Sequence, residues 1–379
     1  MNHIPLKMLT GDRAKYFGIL SGMVFASLLL SLFGSIFVGL VGRMTAPIED
    51  AGVAEVWVMD PKVTAIDNSV GMREVELSRV RGVEGVRWAV PMFRGKVKAR
   101  LANGDFQNCT LVGIDDATLA AGPPVVLQGK LEDLRRTDAV FVDAAEASRK
   151  LSNPDRPLRL GDALELNDRR AVVSGFVRIT PSFDTVPTLF TTYQRAIEFA
   201  PPERKPLTYI LVKATDGVNP SDLARRIERE TGLGAKTVPE FSRSTIAYIF
   251  SATGIAQNFG LTLGLGFLIG LAVAGQTFFA FIQDNLRYFG VMKAMGATDG
   301  RIAGMVALQS ATVALQGFGI GAGLAAWIGY LAGNSALTIR TPYWLVAAVG
   351  AAILLIAVVS ALLSVRRILK LPPAVVFNG

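Results

Sequence analysis

Four stretches of this 379-residue chain contain no Asp, Glu, Lys or Arg: residues 16–42, 244–283, 302–339 and 341–365. A hydrocarbon core of about 30 Å takes roughly 20 consecutive apolar residues to cross as a helix, and each stretch is longer than that. A chain that is 51% apolar with four such runs is not an ordinary soluble enzyme. Buried core helices seldom exceed about 18 uncharged residues, let alone four times in one chain, so all four runs read as membrane spans. Lys7, Arg13 and Lys15 precede the first run as they would a signal peptide. The run is nearly twice the usual h-region of about 7 to 15 residues and lacks a small-x-small site, so an uncleaved anchor fits it better.

Charge placement predicts the orientation. Lys7, Arg13 and Lys15 before the first span, Arg287, Lys293 and Arg301 after the second, and Arg366, Arg367 and Lys370 after the fourth face only Asp12, Asp284 and Asp299. The loop between the third and fourth spans offers Arg340 alone. Under the positive-inside bias both termini lie in the cytoplasm, and residues 43–243 lie outside it. That external segment carries 29 basic and 28 acidic residues, so most of the net charge of +8 sits at the membrane flanks. There it meets anionic lipid, and the pI near 9.7 does not signal nucleic-acid binding. His3 is the only histidine and Cys109 the only cysteine, which leaves no His-based metal site or nucleophile system, no intrachain disulfide and no candidate catalytic residue.

The organisation expected is a 1+3 membrane protein with a large extracytoplasmic α+β domain. It comprises a tail (1–15), a first span (16–42), the external domain (43–243), a stalk continuous with the second span (244–283), a cytoplasmic loop (284–301), a third span (302–332), a short outer loop (333–342), a fourth span (343–365) and a tail (366–379). In the external domain, strands are predicted at 53–59, 86–93, 96–101, 106–113, 139–142, 163–166, 171–179 and 209–213. Asn103-Gly104 and Asn167-Asp168 mark hairpins. Short helices are expected at 73–81, ahead of Leu151, and from Pro220 to Thr231, where Asn219 caps the start and Gly232 stops the end. The Pro123-Pro124 and charged 132–138 stretch reads as a boundary between two subdomains.

Inside the spans small residues recur every fourth position, as in Gly18/Gly22, Gly260/Gly264, Gly266/Gly270, Gly317/Gly321, Gly319/Gly323 and Gly329/Gly333. This spacing lets helix backbones approach closely and fits either packing within one subunit or a homodimer seam. No span holds an ionisable residue, so the proton and ion relays of secondary transporters have no candidates.

In the loop after the second span, Leu286, Phe289, Met292 and Met295 recur every third residue, Gly296 is a natural helix stop and Thr298 can cap the next helix. The run from Tyr288 to Ala297, Tyr-Phe-Gly-Val-Met-Lys-Ala-Met-Gly-Ala, with Gln309 in the next helix, resembles the signature E-x-G-x-L-[RK]-A-[ILM]-G-A of FtsX-like permeases. Arg366-Arg367 followed by Pro372-Pro-Ala374 is similar to that family's ending, and the opening Ile4-Pro-Leu-Lys-Met-Leu looks most like its DevC branch. By motif the resemblance covers about 30 residues; by topology it covers the whole chain. It implies a homodimeric inner-membrane ABC transporter permease of the MacB/FtsX kind, itself non-catalytic, driven by ATP and Mg on a separate ATPase. A membrane-fusion adaptor and an outer-membrane channel are implied as further partners. Leu286, Phe289, Met292, Lys293, Met295, Gly296, Ala297, Thr298 and Arg301 would couple to the ATPase. Tyr288 replaces the family's acidic residue, which removes any salt bridge from that position.

The chain has no nucleotide loop of its own: Gly232-Leu-Gly-Ala-Lys236-Thr237 has alanine where a phosphate loop needs its second glycine. The function expected is mechanotransmission in an exporter of a lipid, glycolipid, peptide or small amphipathic molecule. The alternatives are a signalling scaffold that regulates a cell-wall enzyme, whose external domain tends to be smaller, and a membrane hydrolase, which lacks catalytic groups here.

Overall fold

The computed structural model of the chain describes residues 3–11, 13–101, 104–152, 157–201, 206–332 and 339–369. Its helices are α1 (His3–Gly11), α2 (Arg13–Glu49), α3 (Val75–Arg81), α4 (Ala144–Lys150), α5 (Tyr193–Phe199), α6 (Pro220–Thr231), α7 (Val238–Thr253), α8 (Ile255–Asp284), α9 (Leu286–Ala294), α10 (Asp299–Leu331) and α11 (Tyr343–Leu369). Its strands are β1 (Val56–Met59), β2 (Val86–Arg100), β3 (Phe106–Ile114), β4 (Val125–Gln128), β5 (Ala139–Asp143), β6 (Ala163–Leu166), β7 (Arg169–Arg178), β8 (Thr188–Thr192), β9 (Tyr209–Ala214) and β10 (Gly234–Thr237). They form two compact units, Met1–Leu40 with Ile255–Gly379, and Val41–Gly254.

In the first unit, α2, α8, α10 and the Tyr343–Val365 part of α11 are long and apolar enough to cross a membrane, one for each predicted span. The segment before the first span is itself helical. Leu9 of α1 is buried, and the Gln309 side chain on α10 donates through Nε2 to the Pro5 carbonyl at 2.8 Å. The first span overruns its predicted end. At 37 residues α2 is about 55 Å long, and it passes from one unit into the other without a break.

The continuous stalk expected over 244–283 is not there. The run divides into α7 and α8 at Gly254, whose φ of +65° places it in the left-handed region that ends a helix. A search for charge cannot see a glycine stop inside an uncharged run. α2, by contrast, is one continuous helix from Arg13 to Glu49.

The second unit is built on one ten-stranded sheet in two parts that share the long strand β2. The first half of β2 pairs antiparallel with β9, and β9 and β10 flank β1, giving the order β10-β1-β9-β2. With α3 between β1 and β2, and α6 between β9 and β10, this is a split βαβ arrangement. The second half of β2 pairs with β3. From there the ladder runs through β8, β5, β7 and β6 and returns to β2, closing a ring of six strands with β4 outside on β7. Closure removes strand edges. Val97, Ala99, Cys109, Leu111, Val140, Leu164, Val173 and Leu189 belong to the buried core of this region.

Several local predictions are met by the structure. Asn167 and Asp168 both take positive φ, as a two-residue hairpin turn requires. Asn219 accepts from the Ser221 amide at 2.9 Å, and Gly232 at φ +71° closes α6. Asn103 lies outside the described residues, but the hairpin around it is formed, with Arg100 opposite Phe106. Other details differ. The strands at 86–93 and 96–101 are one strand, and the Pro123-Pro124 stretch leads into the outer strand β4; the seam between the two parts runs along β2. β8, α5 and β10 were not expected.

Side-chain alternation gives the first half-sheet two covered faces. Val56 and Val58 share a core with Val80 of α3 and Leu223 and Ile227 of α6. Trp57, Met59, Tyr209 and Leu211 point the other way, where they meet Ile48 from the end of α2 and Phe241 from α7. The rings of Trp57, Tyr209 and Phe241 are mutually 5.3, 5.6 and 5.9 Å apart, within the range of favourable aromatic contact. The Tyr209 hydroxyl donates to the Ile66 carbonyl at 2.7 Å. α7 starts beside this cluster, with Glu240 accepting from the Thr237 amide at 2.9 Å. At the end of α2, Asp50 accepts from the Thr180 amide and hydroxyl at 2.8 and 3.0 Å.

Asp143 ends β5 and accepts from the Ala145 amide at 3.2 Å. Burial, opposed by that bond and reinforced by nearby Glu146, pushes its carboxyl up to about 6. The folded chain therefore binds this proton more tightly than the unfolded chain, and the contribution of Asp143 to stability falls as pH rises from about 4 through 6. Asp143→Asn keeps the capping oxygen and removes the titration. In denaturant unfolding followed by tryptophan fluorescence, the variant should gain on the wild type between pH 4 and pH 7; a pH-independent difference would contradict this.

Candidate functional site

α8 ends at Asp284, whose carboxylate lies 2.8 Å from Lys15 Nζ, and the Asn285 side chain donates to the Phe281 carbonyl at 2.8 Å. α9 follows as a nine-residue helix. Its close has the two bonds of a Schellman motif: the Ala297 amide reaches the Met292 carbonyl at 3.0 Å, and the Gly296 amide reaches that of Lys293 at 3.0 Å. Gly296 takes φ +93° with nothing near the position of a side chain, so its conformation, not crowding, calls for glycine. Lys293 and Asp299 form an ion pair across the turn at 3.0 Å. Thr298 occupies the N-cap position of α10 by its backbone, with its carbonyl accepting from the Arg301 and Ile302 amides, but its side chain makes no capping bond.

These bonds decide which way the loop faces. Phe289 is fully buried in a cluster with Leu9, Phe281 and Ile302, and Leu286, Met292 and Ala297 pack against that cluster. Met295 is 74% exposed, Tyr288 63% and Val291 43%. The three-residue spacing of Leu286, Phe289 and Met292 is thus the stripe by which α9 seats on its own bundle. Met295 escapes the stripe because the helix has ended. The surface offered outward is Tyr288, Val291 and Met295, with Arg287 and Arg301 also exposed. Sequence spacing did not single out Tyr288 or Val291. The signal lay in the gaps of the buried stripe.

The glycine pairs separate by surroundings. A Cβ on Gly270 would stand 2.5 Å from Ala26 Cβ, one on Gly22 2.8 Å from Val273 Cγ1, and one on Gly321 2.5 Å from the Val24 carbonyl oxygen. Gly317 meets Met23 as closely, while Gly266 is in ordinary contact with Leu29. These residues bring α8 and α10 against α2. Gly260 and Gly264 on α8, and Gly319 and Gly323 on α10, face open space. The lysine-threonine pair that imitates a nucleotide loop lies in β10, extended and paired with β1, which cannot curl its amides around a phosphate.

Residues 17–230 match the MacB-like periplasmic core domain, and residues 260–373 match the FtsX-like permease C-terminal domain. Proteins of two Mycobacterium tuberculosis strains, each described as an uncharacterised ABC transporter permease, are 24% identical over 312 residues, 82% of this chain and 80% of theirs. Among solved structures, the periplasmic region of MacB from Actinobacillus actinomycetemcomitans aligns at 16% identity and a TM-score of 0.39, over 54% of this chain and 96% of that one. The extracellular domain of the ABC-type transporter YknZ from Gram-positive bacteria aligns at 14% identity and a TM-score of 0.35, over 48% and 98%. By its two domain matches, the chain belongs to the MacB/FtsX-like family of ABC transporter permeases.

Proposed function

We propose that this chain is the membrane subunit of an ATP-driven exporter in the bacterial inner membrane, with both termini in the cytoplasm. A separate ATPase seats on the outward face of α9, and its movement reaches the external domain through the bundle, α2 and the α8–α7 connection. The observation that carries this reading is the fixed two-sidedness of the α9 loop. Phe289 is locked into the bundle while Tyr288, Val291 and Met295 stand free beside exposed Arg287 and Arg301. An apolar centre with basic neighbours fits a partner groove that is apolar at its base and acidic at its rim. Movement imposed on such a loop enters the bundle directly, because the Schellman closure and the Lys293–Asp299 pair bind the loop to α10.

The remaining parts of the proposal follow from the family resemblance and the surfaces left open. A second copy packs on the α8 face that carries Gly260 and Gly264, where a helix can approach without displacing anything. An adaptor and an outer-membrane channel receive a lipid, glycolipid, peptide or small amphipathic substrate on the external side.

Two tests separate fold from function. Val291→Glu and Met295→Glu should leave the chain folded in detergent but abolish co-purification with its ATPase, or reduce coupled ATP turnover at least tenfold. Phe289→Glu should fail to fold, since it buries an unpaired charge. Normal coupling in both exposed variants would overturn the assignment of this face. For the seam, Gly264→Leu should fold and shift the protein from dimer to monomer in light scattering. Gly270→Leu should destabilise the bundle itself by about 1–3 kcal/mol or more through overpacking. A dimer unaffected by Gly264→Leu would place the seam elsewhere.

A further inference from the structure

Arg340 is the only charged residue between Arg301 and Arg366, and no acidic residue lies anywhere in that interval. It sits at the end of the bundle where α10 hands over to α11, and its backbone is fixed from several sides. The Arg340 amide donates to the Ser35 carbonyl of α2 at 3.2 Å, and the Thr341 and Ser35 hydroxyls are 3.1 Å apart. On the α10 side, Ile339 packs over Gly329 so closely that a Cβ there would stand 3.2 Å from Ile339 Cγ2. On the α11 side, Leu345 fills the space over Gly34. Residues 339–345 are thus tied to α2 and to the last turns of α10, and the Arg340 side chain projects from them exposed.

Four large rings share that end of the bundle. Trp327 and Tyr330 lie in the last turns of α10, and Tyr343 and Trp344 begin α11; all four are more than half exposed. In a helix pair that crosses a bilayer, Trp and Tyr at the span ends sit at headgroup depth, which puts the Arg340 guanidinium among lipid phosphates. Arginine presents a rigid fork of donors that matches a phosphate bidentately. A lone cation on the side that the positive-inside bias disfavours, with no acid between Arg301 and Arg366 to balance it, calls for an anionic partner.

We infer that Arg340, at the same end of the bundle as Trp327, Tyr330, Tyr343 and Trp344, is a binding site for the phosphate of an anionic phospholipid at the α10–α11 end of the bundle. The inference rests on the reading that these helices span the membrane. The partner is the bilayer lipid itself, because the exposed rings at this end of the bundle offer broad apolar faces to acyl chains that a free phosphate would not use.

Trp327 and Trp344 report on the site directly. The chain is reconstituted into vesicles of phosphatidylcholine mixed with phosphatidylglycerol, with bromine on the acyl chains of one lipid or the other, and tryptophan quenching is measured. Bromine quenches only on contact, so Trp57, buried, and Trp88, half-buried in strand β2 of the external domain, give a constant background. The wild type should be quenched by brominated phosphatidylglycerol with about a fivefold preference over phosphatidylcholine. Arg340→Gln should lose the preference yet still be quenched by either lipid, which shows that the rings remain in the bilayer, and Arg340→Lys should keep part of it. Equal quenching of the wild type by both lipids, or an unchanged preference in Arg340→Gln, would overturn the site. Absence of quenching by either lipid would overturn the spanning reading and the site with it.

Discussion

The external domain depends on one patch of the sheet, the face where Trp57, Met59, Tyr209 and Leu211 meet Ile48 and Phe241. α2 ends on this patch and α7 begins on it, so both connections to the membrane helices are seated on the same few side chains. The opposite face is filled by α3 and α6. Because β strands alternate their side chains, one short strand serves both cores: Val56 and Val58 hold the helices while Trp57 and Met59 hold the struts. Interiors this closely packed transmit displacement and do not absorb it. β1 pairs with β9 and β9 with β2, so this seat and the six-stranded ring belong to one sheet.

The two struts differ in kind. α2 is an unbroken helix across the unit boundary, whereas the other path is interrupted at Gly254 in a left-handed conformation. The loop after α8 is closed on itself. Its glycine serves a Schellman closure that turns α9 back onto its bundle, so the family signature around Lys-Ala-Met-Gly-Ala has a structural meaning. Met292 and Ala297 pack against the bundle core, Gly296 supplies the positive φ, and Lys293 pairs with Asp299 across the turn.

The membrane helices were legible because a bilayer demands length and the absence of charge, both of which a sequence displays openly. The Asn219–Gly232 helix and the Asn167-Asp168 turn were legible for a similar reason: their end residues are dictated by backbone geometry. The break at Gly254 was hidden, since a glycine in an apolar run reads equally as helix packing or as a stop. The closure of six strands into a ring is a long-range fact, set by the pairing of β6 with both β2 and β7, and no local pattern encodes it. At the candidate site, spacing located the loop but not its outward side. An apolar stripe on a surface helix faces whatever is most apolar nearby, and for Leu286, Phe289 and Met292 that is the chain's own bundle.

Under the proposed function, nucleotide bound to a cytoplasmic partner repositions the external domain through the aromatic seat. Cysteines introduced at Phe106, exposed near the tip of the β2–β3 hairpin, and at Leu315, exposed on α10, provide labelling positions for energy transfer between the two units. Native Cys109 is buried with its thiol pushed up to about 12, and so does not compete for the dyes. With the ATPase bound, trapping ATP should change transfer efficiency in the wild type. Phe241→Ala, which empties the seat, should abolish that change while ATP hydrolysis continues. An efficiency unchanged by trapped ATP, or the same change in Phe241→Ala, would contradict the account.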